Sequence, residues 1–132
     1  MTSQNTLKTF LLDYCAAFRP GNISAVSGFY HSPATMIFGD RISVLSNTDE
    51  IASTLQAVLD DLVGRGFCRS RVDSCHVHEF TENTALLSAT FSRLKEDDSV
   101  LEQLGATYTV VNKGSGYKIA TLVAHGTTSV IG

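Results

Sequence analysis

Residues 104–126 (LGATYTVVNKGSGYKIATLVAHG) constrain the fold of this chain more than any other stretch. Two segments rich in β-branched and aromatic residues flank a short turn in which Asn112, Gly114, Ser115 and Gly116 supply the conformations a hairpin needs. A lone hairpin is marginal in water and must add strands or lie against helices to bury an apolar face. The upstream chain has to supply both.

It does so in a segregated order. Over residues 3–18, Leu7, Phe10, Leu11, Tyr14 and Phe18 recur at offsets of three and four, the pattern of one buried helical face. Arg19-Pro20-Gly21 ends that helix, and Asn22 suits the N-cap of a second, short one carrying Ile23, Val26, Phe29 and Tyr30, closed by His31-Ser32-Pro33. Residues 35–45 read as two short strands about a Gly39-Asp40 turn. A third helix opens with Asn47 and Glu50 in a capping-box spacing, buries Ile51, Leu55, Val58, Leu59 and Leu62, and ends at Gly64-Arg65-Gly66. Strand signals follow over 67–80 and 84–95, separated by Glu82-Asn83 and, before the hairpin, by the acidic turn 96–99. Helices first and long strands after is the α+β arrangement, with consecutive strands pairing antiparallel. The expected architecture is one domain over 1–132: a curved antiparallel sheet, three helices packed on one face, and a cavity where helices and sheet diverge. The opposite face calls for cover, which a second copy of the chain would provide as a two-fold homodimer through the sheet face.

Composition narrows the partners. With 132 residues the chain has room for one ordinary core. A net charge of -3 and thinly spread Lys and Arg leave no footprint for nucleic acid. Although 43% of residues are hydrophobic, no apolar run approaches the roughly 20 residues of a membrane span. The start, MTSQNTLK, lacks the basic-then-apolar order of a signal peptide, and three cysteines without CxxC spacing suit free thiols, so a cytoplasmic location is expected. Gly114-Ser115-Gly116 precedes no helix and is a turn rather than a phosphate loop; no cofactor motif is present.

Four segments together, YCAAFRPGNISAVSGFY, FGDRISVL, NTDEIASTLQ and GYKIATLVAH, resemble the nuclear transport factor 2-like superfamily, and within it the small SnoaL-like bacterial proteins. The resemblance covers nearly the whole chain. It implies a cone-shaped, cystatin-like α+β fold with a pocket inside the cone, and a function among isomerases, dehydratases, cyclases, hydrolases or non-enzymatic binding modules. Ketosteroid isomerases on this fold use a carboxylate base and a pair of oxyanion-stabilising acids. By the resemblance their helical tyrosine matches Tyr14, while the base falls at about Phe38 and the second acid at about Thr109, neither of which carries an acid.

The remaining candidates come from the residues themselves. Tyr14 is either a core tyrosine with a satisfied hydroxyl or a hydrogen-bond donor to a ligand. His31 and His125 would lie near a cavity rim and are the candidate titrating groups, though a bulge in the last strand decides whether Thr121, Val123 and His125 or Leu122 and Ala124 face inward. His76 and His78 share a strand face, a spacing found in metal sites, with Cys75 pointing the other way; the plainer alternative is a solvated strand edge. Arg93 shares its parity with Ala89 and Phe91, so it either points along an apolar face toward an anionic ligand group or pairs at the surface with Asp97-Asp98. The expected pocket is lined by Tyr14, Phe18, Tyr30, Phe38, Phe91, Arg93 and Thr109 and takes a small apolar molecule. The competing reading is a non-catalytic homodimeric association or accessory module whose cone is packed core.

Overall fold

The computed structural model describes residues 3–132 and contains three helices and one six-stranded sheet. Helix α1 (Ser3–Ala17) buries Leu7, Leu11, Tyr14 and Cys15, with Phe18 just beyond it, which is the spacing of a single helical face. The chain then turns through Gly21, whose φ of 76° is a left-handed conformation that glycine adopts without a Cβ clash. Asn22 does not cap the next helix with its side chain. Its Nδ2 instead donates to the Ala17 carbonyl at 2.9 Å and satisfies an end group of α1.

Helix α2 (Ile23–Ser27) is shorter than the pattern of apolar residues suggests, and Tyr30, His31, Ser32 and Pro33 belong to strand β1 (Tyr30–Phe38) rather than to a helix end. Tertiary pairing explains the difference. Ile119 N donates to the Phe29 carbonyl at 2.8 Å and Tyr30 stands opposite Ile119, so the last strand draws the chain out of the helix. Pro33, which has no N–H to give, falls where the pairing of β1 to that strand is interrupted between Tyr30 and Thr35.

Strand β2 (Arg41–Leu45) returns antiparallel to β1 across the Gly39-Asp40 turn. Helix α3 (Thr48–Gly64) starts as its sequence indicates. Asn47 Oδ1 accepts from Glu50 N at 2.9 Å, and Glu50 Oε1 accepts from Ser46 N at 2.7 Å, closing the box one residue upstream of the cap. Its buried stripe is Ile51, Leu55, Leu59 and Leu62.

Strands β3 (Arg69–Thr81), β4 (Thr84–Leu94), β5 (Val100–Asn112) and β6 (Tyr117–His125) form an antiparallel meander, and the order across the sheet is β2-β1-β6-β5-β4-β3. The sheet is mixed, because β1 joins β6 in parallel; a helix and four strands separate the two in sequence. At the β5–β6 turn, Asn112 Oδ1 accepts from Gly114 N at 2.8 Å.

Alternation assigns the two faces. Ala85, Leu87, Ala89 and Phe91 of β4 and Ala106, Tyr108 and Val110 of β5 lie buried against the helices. A register shift between Thr109 and Val110 lets Ile119 and Leu122, three apart on β6, both face inward. Across β3 to β6 the outer face carries hydroxyls where apolar surface is expected, while at the β2 end Ile42 and Val44 remain exposed. Ser74 bonds Thr90 at 2.7 Å, Thr109 bonds Thr121 at 2.6 Å, and Ser88 bonds Thr107 at 2.8 Å. The segment after β6 crosses this face, with Ile131 N donating to Ser88 Oγ at 2.9 Å and His78 Nε2 donating to the Ile131 carbonyl at 3.1 Å.

Gly105 allows the end of β6 to sit down on β5. A Cβ there would stand 2.5 Å from the His125 ring and 2.7 Å from the Gly126 carbonyl. Gly105→Ala is therefore expected to destabilise the protein by about 1–3 kcal/mol through overpacking against ring and backbone together. Chemical denaturation of the two proteins measures it, and an unchanged midpoint would remove the constraint.

Candidate functional site

Between the inner face of the sheet and the helices lies a chamber of about 70 Å³. Helix α1 contributes Tyr14 and Cys15, α3 contributes Leu55 and Val58, and Tyr30, Met36 and Phe38 come from β1. Phe91 and Arg93 stand on β4, Leu104, Ala106 and Tyr108 on β5, and Leu122 and Ala124 on β6, while Phe18 and Ser70 complete the wall. On β4, β5 and β6, and on β1 from Met36, each inward residue is two from the next, the period of the pleat. The chamber opens past Phe38, Val58, Arg93, Leu104 and Ala124, residues it shares with a groove of about 870 Å³ between α3 and the β1–β2 hairpin.

Tyr14 is the centre of an aromatic cluster. Its ring meets Phe29, Tyr30 and Tyr108 edge-on at centroid distances of 5.7 Å each, and its hydroxyl lies 2.5 Å from that of Tyr30. Burial pushes the Tyr14 hydroxyl up to about 12, and it raises Tyr30 and Tyr108 well above the ordinary phenol value. No hydrogen bond to a described residue offsets the burial of Tyr108. Burial likewise pushes the Cys15 thiol up to about 11, which holds it protonated and a poor nucleophile at neutral pH.

Arg93 stands at the mouth. Its Nη1 donates to Glu102 Oε2 at 3.0 Å, and its guanidinium lies 5.7 Å from the Phe18 ring centroid, within cation–π range. The surface pair with Asp97 or Asp98 does not form: Asp98 is engaged by Arg69, and Glu102, directly opposite Arg93 on β5, is nearer.

Six of the seven residues expected around the pocket (Tyr14, Phe18, Tyr30, Phe38, Phe91 and Arg93) line this chamber. Thr109 does not; the even residues of β5 face in, and Thr109 bonds Thr121 on the outer face. His125 also lies on that face, with Nδ1 donating to the Gly126 carbonyl at 2.7 Å and Nε2 accepting from Thr107 at 2.7 Å. His31 is on β1 outside the chamber, its Nδ1 donating to the Pro33 carbonyl at 2.8 Å. His76 and His78 share the outer face of β3, and among the described residues no group of three or more His, Cys, Asp or Glu side chains is placed to hold a metal ion. No carboxylate or imidazole is found among the described residues of the chamber wall.

A family model described as an NTF2-like protein (DUF6841) matches residues 3–127. The chain belongs to this NTF2-like family. Solved structures share its fold. A cystatin-like domain of unknown function from Nostoc punctiforme is 18% identical with a TM-score of 0.73, covering 95% of this chain and 78% of that one. An NTF-2-like protein of unknown function from Shewanella oneidensis is 12% identical with a TM-score of 0.72, covering 93% and 98%. The yeast UBP3-associated protein BRE5 is 17% identical with a TM-score of 0.73, covering 99% and 98%. At such identities the likeness is one of fold. No curated protein sequence matches the chain significantly. No helix among the described residues is long and apolar enough to cross a membrane.

Within the NTF2-like cone, the residue that sequence reasoning missed is Tyr108. Leu104, Ala106, Tyr108 and Val110 form an unbroken apolar alternation that gives β5 its inward parity, whereas the expectation for Thr109 rests on the resemblance to the isomerase acid position.

The buried tyrosines tie stability to pH. A phenol whose folded pKa exceeds its unfolded value contributes stability that is complete below about pH 10 and is lost as the pH rises toward the folded value. Tyr14, Tyr30 and Tyr108 are accordingly expected to stay out of the tyrosinate absorbance change until unfolding begins, with stability falling between about pH 10 and pH 12. Ultraviolet titration beside circular dichroism checks this; tyrosinate from these three rings in a folded protein at pH 10 would contradict it.

Proposed function

We propose that the protein binds a small molecule in the cone, with its mouth open toward the α3 groove. The observation that carries this reading is a chamber of about 70 Å³ whose wall is mainly apolar yet holds a Tyr108 hydroxyl that makes no hydrogen bond to a described residue. A hydroxyl that borders open space keeps its proton for an occupant of the chamber, and a bond of that kind contributes about 0.5–1.5 kcal/mol. The tyrosines are suited to donate to a carbonyl or developing oxyanion, the part they would take in isomerase, cyclase or dehydratase-like chemistry. With no carboxylate or imidazole among the described wall residues, a proton acceptor for such a step would have to come from the ligand or from water.

Ala124 is half-buried at the mouth, where a larger side chain would block entry without filling the deep core. Titration with indole, followed by NMR of the aromatic side chains, is expected to shift Tyr14, Tyr30 and Tyr108 in the natural protein. Ala124→Phe should lose those shifts while remaining folded. Unchanged tyrosine signals at millimolar indole would count against ligand binding.

A homodimer through the sheet is the second reading. It is supported by Ile42 and Val44 of β2, which are 65% and 68% exposed, together with Ile37 and Val123, which stand beside Ile42 across the register on the outer face. This apolar patch lies at the β2 end, away from the hydroxyl-rich part that residues near Ile131 cross. If a second copy covers it, sedimentation will give a dimer at micromolar concentration and Ile42→Glu with Val44→Glu a monomer. A natural protein that sediments as a monomer would end this reading.

A further inference from the structure

The polar groups of the chamber differ in kind from its apolar wall, and their inventory is one-sided. Tyr14 and Tyr30 spend one proton on each other, which leaves the second proton of the pair and that of Tyr108 available. Arg93 spends Nη1 on Glu102 and presents the rest of its fork at the junction of chamber and groove. No carboxylate among the described wall residues faces these donors.

The groove carries Asp40 and Asp61 as well as Arg41 and Arg65, so the charge that matters is the one on Arg93 and how far it is compensated. Glu102 is shared: Arg65 Nη2 reaches Oε1 at 2.6 Å and Arg93 Nη1 reaches Oε2 at 3.0 Å, so one carboxylate serves two guanidinium groups. Asp61 adds a second carboxylate to Arg65, but at 3.7 Å and with its side chain 73% exposed, where water screens it. The Arg93 side chain is only 17% exposed, and burial disfavours its charge by more than Glu102 restores.

Size sets where an occupant's charge must lie. A chamber of about 70 Å³ is smaller than the roughly 150 Å³ of a cavity that holds benzene, so a ring-bearing molecule has to project through the mouth past Arg93. We propose that the site selects a compact amphipathic monoanion, with a short apolar body, or the edge of an aryl ring, entering the chamber and a carboxylate or similar oxyanion on Arg93 at the mouth. The assignment rests on the ligand-binding reading above and adds the chemical class of the ligand. Glu102 is then a positioning residue, holding the Arg93 fork at the junction and moderating its charge.

The test uses two probes of one shape, 3-phenylpropionate and its uncharged amide 3-phenylpropionamide, titrated by calorimetry or NMR. The carboxylate is expected to bind at least about tenfold more tightly than the amide, in line with a charge-assisted bond at a partly desolvated site. Arg93→Met keeps the apolar length and leaves Glu102 paired with Arg65; it should erase the preference while the amide still binds. Glu102→Gln should strengthen the carboxylate and leave the amide unchanged, which a merely structural role for Glu102 would not produce. Raising salt with the natural protein should weaken the carboxylate alone, a readout that stands even if Arg93→Met fails to fold. Equal binding of the two probes by the natural protein, or a preference that survives Arg93→Met, overturns anion selection and leaves the ligand-binding reading intact. Binding of neither probe overturns both.

Discussion

The parallel pairing of β1 with β6 is the contact on which the cone depends. The meander from β3 to β6 is local in sequence and could form a curved sheet by itself, but it would have no wall on its β6 side. The ladder that begins with Ile119 N on the Phe29 carbonyl and resumes from Thr35 opposite Thr121 brings Tyr30, Met36 and Phe38 over the inner face. It also carries the β1–β2 hairpin to where α3 can pack, and so forms one side of both chamber and groove. Tyr14 then joins α1 to the same strand through its hydroxyl contact with Tyr30. Helix, sheet and hairpin are thereby held around a space that none of them encloses separately.

That dependence explains what could be read from the sequence and what could not. Helices α1 and α3, the three later turns and the four long strands rest on short-range signals: apolar spacing, Asn47 with Glu50, and the Asn112 turn. Their positions follow closely. The boundary between α2 and β1 rests on a partner some ninety residues away, and no local pattern around Phe29 or Tyr30 announces it. His31 changed element for that reason. Thr109 is a different case, since its outward parity was available from the alternation of Leu104, Ala106, Tyr108 and Val110. The direction of His125 was open in a stricter sense, because a register shift at Thr109 and Val110 decides it and a shift of this kind leaves no reliable mark in composition.

The two faces of the sheet handle polar groups in opposite ways. On the outer face, hydroxyls are satisfied by one another: Ile131 N donates to Ser88, which contacts Thr107, which donates to His125, whose Nδ1 proton goes to the Gly126 carbonyl. Every group in that chain has a partner, so it serves order rather than recognition. On the inner face, hydroxyls are few and border the chamber. Tyr14 and Tyr30 hold each other while Tyr108, at 4% exposure, has no hydrogen bond to a described residue. One fold thus keeps a polar layer closed on itself and, on the opposite side of the same strands, hydroxyls that face a chamber.

Arg93 brings the energetic argument to the mouth of the cone. A guanidinium in such a place could be neutralised fully by a carboxylate of its own, and a simple structural ion pair would be built that way. Here the available carboxylate is divided with Arg65, whose contact with it is the shorter. The arrangement leaves Arg93 held in position by Glu102 and Phe18 but incompletely compensated in charge. Replacing the pair by apolar side chains would fill the mouth and remove a desolvation cost. The structure instead maintains a cation at the junction between an apolar chamber and an open groove, where one end of a molecule would meet apolar wall and the other water.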